Sequence, residues 1–318
     1  MSILVVKPGL LSSVQDRGRG GMAALGVSKT GPMDATLFRL ALALAGCKGE
    51  MAALEITVTG PVLRFKVGCR LALTGDFARP RINGVEVGCW RPLAIAAGAE
   101  LDCGTLRSGV RGYLAIAGGI AVAPVMGSRA TDLNAGIGAN GGRALQAGDV
   151  LPMAAKPTRS VSHGNWSIDP SPWFDVDASQ PIHCIASRHR DALDAESISA
   201  LEREEFNIGV GSNRVGVRID GPTLQLREPL ELISEPVNFG TIQLPPSGQP
   251  IALMAEHPTM GGYPRIAQIA AIDLGRFAQR RSGERVRFAW LSMERAQARY
   301  LEQQRELANL ICAICERS

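Results

Sequence analysis

Three short stretches of this chain pair glycine with charged or hydrogen-bonding side chains: Val14-Gln15-Asp16-Arg17-Gly18-Arg19, Gly127-Ser128-Arg129-Ala130-Thr131 and Thr259-Met260-Gly261-Gly262-Tyr263-Pro264. Glycine lets backbone come close to a ligand while polar neighbours point at it. In the first stretch, Arg17 and Arg19 flank Gly18 and can clamp a carboxylate or phosphate, with the Gln15 amide beside them. Asp16 can orient one guanidinium or act as a base, yet the same segment also suits a polar turn whose Asp caps local backbone. In the second stretch, the Ser128 and Thr131 hydroxyls with Arg129 between them can hold an oxyanion. Gly31-Pro32-Met33-Asp34 delivers Asp34 to a helix start, where a carboxylate either caps the helix or serves a site. Gly211-Ser212-Asn213-Arg214 puts an amide and a guanidinium at the entrance to a strand near Val215. Thr259, Gly261, Gly262 and Tyr263 follow an apolar strand from Ile251 to Ala255, a place where polar groups shape pockets. If these stretches converge, one site draws on most of the chain.

Other chemistries lack their residues. The sequence has no Gly-x-x-x-x-Gly-Lys-Ser/Thr, no His-Glu-x-x-His and no Gly-x-Ser-x-Gly. Gly136-Ile137-Gly138 has no third glycine at dinucleotide spacing, and the glycines at 136, 138, 141 and 142 predict a mobile loop. His163, His183, His189 and His257 are scattered and no paired Cys-x-x-Cys elements occur, so no metal site is expected. His257 alone reads as a packed or surface histidine. Cys312-Ala313-Ile314-Cys315 has redox spacing but ends a terminal helix, where nothing lowers a thiolate pKa, so it reads as structural.

Seven unevenly spaced Cys fit a reducing cytoplasm. The amino terminus shows no signal-peptide pattern and no stretch approaches a membrane span, so no membrane association is expected. With 34 basic and 30 acidic residues spread along the chain, no basic block and few aromatics, a nucleic-acid partner is not expected. Arg pairs at 79/81, 188/190 and 280/281 suit solvated faces or anion sites.

The elements that must carry these residues are mostly strands. The 36 Gly and 19 Pro among 318 residues exceed the ordinary usage of roughly 12% and favour many turns. Strand-like pieces run over 2–7, 54–58, 62–67, 70–74, 93–96 and 110–116. Leu37, Leu40, Ala41 and Leu44 recur at helical spacing, with Asp34 as N-cap and Gly46 as stop. Gly98-Ala99-Glu100, Gly148-Asp149-Val150 and Gly283-Glu284-Arg285 read as turns feeding strands. Residues 59–65 echo residues 220–226 about half a chain apart, as a duplicated β-domain would place them. A proline- and serine-rich segment with Trp166 and Trp173 reads as a linker, and a helix capped by Ser292 closes the chain. The expected organisation is an N-terminal β domain over 1–155, a linker over 156–181 and a C-terminal β domain over 182–318.

Taken in order, these motifs resemble the allophanate hydrolase subunit 2 family, which includes KipA-like proteins and the C-type subunit of prokaryotic 5-oxoprolinase. The resemblance runs from Gly9 and Ser13 to Arg19, through Gly26-Val27, Gly31 to Asp34, Ala53-Leu54-Glu55, Tyr113-Leu114-Ala115 and Gly118-Gly119-Ile120. It continues at Met126 to Asp132, Gly148-Asp149, Ser212 to Arg214, Ile242 to Pro245, Gly248 to Ile251 and Thr259 to Pro264. It implies a mainly β fold of two cyclophilin-like β-barrel domains with few helices.

The resemblance also implies two partners. One is of the allophanate hydrolase subunit 1 or KipI-like type, the B-type subunit of 5-oxoprolinase, and the other is a LamB/YcsF-type protein, its A-type subunit. Together they would form an ATP-dependent 5-oxoprolinase that opens the lactam to glutamate, with ATP bound by the complex. A lactam amide is a poor electrophile until its carbonyl oxygen is phosphorylated, so residues must then stabilise anionic oxygens and move a proton. On this reading Asp16, Arg17, Asp34 and Arg129 are catalytic. Gln15, Arg19, Ser128, Thr131, Asn213, Arg214, Thr259, Gly261, Gly262 and Tyr263 bind substrate. The alternatives are a biotin-dependent urea or amide carboxyltransferase and a non-catalytic KipA-like regulator. No Met-Lys-Met is present, so carboxybiotin would come from another protein. Departures from the family pattern fall at Leu42, Cys47, Arg190-Asp191-Ala192 and Glu256-His257-Pro258, which touch site loops and leave room for an altered substrate.

Overall fold

A computed structural model describes residues 1–47, 49, 51–154 and 166–317. The first part of the expected linker, with His163, lies outside the described residues. The fold is mainly β with a nearly closed barrel sheet, and the chain divides into two compact units. Met1–Arg19, Thr30–Asp175 and Leu307–Ser318 form the first, and Gly20–Lys29 with Val176–Glu306 form the second. Each unit is built from segments that are discontinuous in sequence.

In the first unit, Ser2–Lys7 alternates inward Ile3 and Val5 with outward residues and pairs antiparallel with Val62–Phe65 and Val150–Pro152. The sheet continues through Glu100–Asp102 and Arg81–Ile82 to Val85–Glu86. A second antiparallel sheet runs in the order Leu11–Gln15, Ala53–Thr57, Thr105–Ile116, Cys69–Ala78 and Leu93–Ile95. Leu63, Phe65, Leu101, Leu54, Ile56, Leu71 and Leu73 join one core cluster. The helix Ala35–Leu44 buries Leu37, Leu40, Ala41 and Leu44 with Ala72, Tyr113 and Ala115 in a second cluster that also takes Leu307 and Ile314.

In the second unit an eight-stranded sheet runs Arg285–Val286, Phe206–Ile208, Gly216–Asp220, Ile251–Leu253, Thr241–Gln243, Arg265–Ile269, Ile182–Ala186 and Phe288–Trp290. Its last pair is parallel. A separate ribbon joins Glu235–Pro236 to Met260–Gly261 by two residue pairs only.

The three glycine-acidic turns behave as read. Gly98, Gly148 and Gly283 lie at φ +81, +90 and +84, each two residues before a strand, where a side chain would be strained. The sequence echo is half realised: residues 62–65 form a strand, whereas residues 223–226 end in an isolated bridge from Leu226 to Leu193. There the Leu224 and Gln225 amides bond the Gly248 carbonyl and the Ser197 hydroxyl instead of a neighbouring strand. Ser292 accepts from the Arg295 amide at 3.3 Å and starts the helix Met293–Arg317. Among the described residues no helix is long and apolar enough to cross a membrane.

Candidate functional site

Strand Leu11–Gln15 carries the first polar stretch into a turn whose partners lie more than a hundred residues away. Gln15 is fully buried, and its Nε2 donates to Ser13 Oγ and to the Thr131 carbonyl, each at 3.0 Å. The Asp16 carboxylate accepts from the Gly18 amide at 2.9 Å, Ser128 Oγ at 2.5 Å and the Arg129 amide at 2.6 Å. Asp16 thus staples the turn at 16–18 to the loop at 128–129, and its oxygens are engaged before any ligand arrives. The Thr131 amide bonds the Val14 carbonyl at 2.8 Å, completing that junction.

Arg19 is only 2% exposed and donates to the Ala130 carbonyl. Gly138, at φ +107, closes over this bond, because a Cβ there would overlap the Ala130 carbonyl and crowd Arg19 Nη2. Likewise a Cβ at Gly142 would overlap the backbone of Gly136 and Ile137. Of the four glycines expected to loosen this loop, Gly138 instead packs it against Arg19 and Ala130 and Gly142 packs it on itself, whereas Gly136 and Gly141 face open space. Arg129 is half-buried, with Nε on the Val122 carbonyl at 2.9 Å, and Arg17 is exposed.

Asp34 caps the helix Ala35–Leu44, accepting from the Thr36 and Leu37 amides, each at 3.1 Å. A network that sequence reasoning missed holds this cap. Glu55 Oε2 accepts from the Met33 amide at 2.7 Å and from Tyr113 Oη at 2.8 Å, and Tyr113 Oη accepts from the Asp34 amide at 2.8 Å. Arg111 Nη1 lies 3.9 Å from Glu55 Oε1, with both side chains buried. Burial, then the nearby Glu55 and Asp34 charges, push the Tyr113 phenol well above its ordinary pKa. The available signal was a glutamate inside the apolar run Ala53-Leu54-Glu55-Ile56, since a buried charge demands partners. Thr30 Oγ1 bonds Asp132 Oδ2 at 3.0 Å, so the turns before the helix and after Thr131 are joined directly.

The remaining expected residues are built in the second unit. Asn213 Oδ1 accepts from the Val215 and Gly216 amides at 2.8 and 3.2 Å, which makes it a turn former at the start of Gly216–Asp220. Arg214 and Glu256, both about 3% exposed, form a buried pair with Nε to Oε1 at 2.6 Å. The Glu256 amide returns to the Arg214 carbonyl at 2.7 Å. Glu256, noted only as a departure from the family pattern, is thus the ion-pair partner of an expected binding residue. His257 donates from Nδ1 to the Pro258 carbonyl at 2.7 Å, and burial pushes its pKa down.

The Thr259 carbonyl accepts from the Val237 amide at 3.1 Å, Gly261 pairs with Glu235, and Tyr263 is 48% exposed. Beneath Gly261 lies Gln243, which was read only as part of a family motif. A Cβ at Gly261 would overlap Gln243 Nε2. Among the described residues no group of three or more His, Cys, Asp or Glu is placed to hold a metal ion.

The structure therefore joins Gln15, Asp16, Arg19, Ser128, Arg129 and Thr131 by direct bonds in the first unit, with Asp34 in the adjoining network. In the second it joins Arg214 to Glu256 and sets Gly261 on Gln243.

Comparisons with known proteins agree with this architecture. Residues 25–290 match the family model described as carboxyltransferase domain, subdomain A and B. The 5-oxoprolinase C subunit of Haemophilus influenzae is 35% identical over 90% of this chain and 90% of its own length. The protein of the same name from Escherichia coli is 36% identical over 94% of this chain and 96% of its own length. The crystal structure of the Kluyveromyces lactis urea amidolyase superposes with a TM-score of 0.86 at 28% identity, covering 97% of this chain. The chain spans only 20% of that enzyme. With its family model covering most of its length, the chain belongs to the family of carboxyltransferase domains built from subdomains A and B.

Proposed function

We propose that this chain is a hydrolase component active within a complex, the C-type subunit of a 5-oxoprolinase. The observation that carries the reading is the pair of relatives bearing that name, similar over nearly the full length of both chains. The reaction is the ATP-dependent opening of 5-oxoproline to glutamate, performed with a KipI-like partner and a LamB/YcsF-type partner in the cytoplasm.

The donor set suits a role toward an anion. Arg19 bonds the Ala130 carbonyl and Arg129 bonds the Val122 carbonyl, so these guanidiniums are held in place by backbone. ATP is assigned to the assembly, and no step of this chain is derived through it. Arg17, exposed at the mouth of the turn, and the remaining donors of Arg129 meet the anionic oxygens of the reacting group. Asp16 positions Ser128 and Arg129 through the two bonds that it accepts from them, and Asp34 fixes the helix start. In the first unit Gln15 and Thr131 are the proposed substrate contacts; for the second unit, taken by itself, they are Asn213, Arg214, Thr259, Gly261, Gly262 and Tyr263.

Mixing the purified chain with its KipI-like and LamB/YcsF-type partners and following ATP-dependent glutamate release tests the reading. Turnover is expected, with Arg17→Ala reducing kcat while the complex still assembles. A fully assembled complex without turnover removes the idea. The family match and the urea amidolyase likeness favour a second reading, carboxyl transfer to a urea-like amide with carboxybiotin carried by another protein. Urea-dependent loss of carboxybiotin in the presence of this chain would select it.

A further inference from the structure

The two glutamines on the second unit's sheet are treated differently by the fold. Gln268 is satisfied: its Oε1 accepts from Thr241 Oγ1 at 2.9 Å, and its Nε2 donates to the Phe239 carbonyl at 2.9 Å and reaches the Ile269 carbonyl at 3.3 Å. Gln243, at the end of the neighbouring strand Thr241–Gln243, is 5% exposed, and its Nε2 finds no hydrogen-bond partner among the described residues. A buried amide donor without an acceptor carries a standing desolvation cost, and native folds keep such groups rarely.

What covers the donor is thin. Gly261 lies directly over Nε2, and only because it lacks a side chain. Gly261 belongs to the ribbon Glu235–Pro236/Met260–Gly261, which has two residue pairs and stands outside the eight-stranded sheet. Exposed apolar residues lie in and next to the ribbon in sequence, Ile233 at 90%, Tyr263 at 48%, Met260 at 45% and Leu230 at 38%, while its Glu235 pairs with Arg265 and Arg188 and its Pro236 carbonyl accepts from Arg265 Nη1 at 3.2 Å. A glycine backbone over an unsatisfied donor, rimmed by exposed apolar groups, is a cover that a small ligand can replace.

We propose that Gln243 is a ligand-binding residue: when the Met260–Gly261 ribbon lifts, its Nε2 donates to the carbonyl or carboxylate oxygen of a small amide- or lactam-class molecule. The ligand class rests on the proposed function, whereas the reserved donor does not. The ligand oxygen supplies the missing acceptor, and the apolar rim closes over its methylene groups.

The test compares the wild-type chain with Gln243→Met, which keeps the volume and removes the amide, and Gln243→Glu, which replaces the donor by an acceptor. Without ligand, the thermal midpoint of Gln243→Met is expected to equal or exceed that of the wild type, because no bond is lost. A fall of more than about 4 °C means that the amide already has a partner and overturns the proposal. Calorimetric titration of the chain, alone and in the complex, with 5-oxoproline, 2-pyrrolidone and urea then reads affinity.

At least one probe should bind the wild type and bind both variants about tenfold or more weakly, and the Gln243 side-chain amide signal should shift in the NMR spectrum on saturation. Equal affinity in the variants, an unmoved amide signal with a probe bound, or no binding of any probe to chain or complex each overturns it. Failure of the 5-oxoprolinase reading looks different: a probe binds in a Gln243-dependent manner while the complex releases no glutamate. Conversely, turnover with an unchanged KM in Gln243→Met leaves that reading standing and removes Gln243 from the site.

Discussion

The polar groups around Asp16 and those around Gln243 are handled in opposite ways. In the first unit the carboxylates are held on several sides: Asp16 by the Gly18, Ser128 and Arg129 donors, and Glu55 by the Met33 amide and Tyr113. In the second, Arg214 and Glu256 form one buried pair, while the Gln243 donor is covered by a glycine and bonded to nothing among the described residues. A saturated network fixes geometry, so damage to it appears first as lost stability. An unsatisfied buried donor costs stability instead of adding to it, so damage to it appears as lost binding. The difference separates framework from contact surface more cleanly than residue type does.

The sharpest way to break the comparison is at the Arg214–Glu256 pair, where the second unit also depends on buried charge. Glu256→Ala strands a guanidinium that is 3% exposed, and loss of one partner of a buried pair costs about 3–5 kcal/mol. Urea unfolding should show the midpoint falling accordingly; a loss below about 1 kcal/mol would mean that the pair acts like a surface bridge. In the first unit, Asp16→Asn keeps one acceptor but turns an amino group toward the Ser128 hydroxyl or the Arg129 amide. A loss of about 2–3 kcal/mol is expected from the same measurement. If the Asp16→Asn variant were as stable as the wild type, the staple would be dispensable and Asp16 would return to the role of base.

What was legible in the sequence followed the range of the interaction. The Asp34 cap and the helix behind it need only residues within a few positions, and both form as read. The glycine-acidic turns are equally local. The Asp16 carboxylate, by contrast, meets Ser128 across 112 positions, a partner that no local reading of the turn names. Glu256 meets Arg214 across 42 positions and stood out only as a departure. Leu307 and Ile314 join the cluster around Tyr113 and Trp90, which is why the chain's last segment counts with the first unit. The glycines at 138 and 142 misled because composition reports conformational freedom and not the overlap that a side chain would cause.

A smaller effect appears with pH in the second unit. Burial holds the His257 imidazole below its ordinary pKa of 6.5, and His189 in the same unit is shifted in the same direction by burial and then by Arg265 and Arg188. As pH falls through 6.5 the unfolded chain takes up these protons first, while the folded state stays neutral. Stability is therefore fully present above 6.5 and declines toward the depressed folded values, by at most about 1.4 kcal/mol per pH unit for each histidine. Urea midpoints at successive pH values should show that decline, and His257→Gln should flatten it. An unchanged slope would place the titration elsewhere. The depressed carboxylates, Asp149 and Asp169 in the first unit and Asp177, Asp194 and Glu294 in the second, act only below their ordinary values of 3.8 and 4.5, in a separate window.

The smallest expected change in stability belongs to Gly261→Ala, and it is the most informative about contact surface. At Gly138 a methyl group would meet backbone at φ +107, where nothing nearby can yield. At Gly261 the backbone is not in the left-handed region, and the overlap is with the mobile end of one side chain, Gln243 Nε2. The amide can swing aside, so the unfolding midpoint should move by less than about 1 kcal/mol. The swing removes the donor from its place, so affinity for the amide and lactam probes should fall about as far as in Gln243→Met. The double variant should lose nothing further, because both changes act on one interaction. Full affinity in Gly261→Ala would mean that ligand does not use the donor beneath the ribbon, and additive losses would mean that glycine and glutamine serve separate contacts.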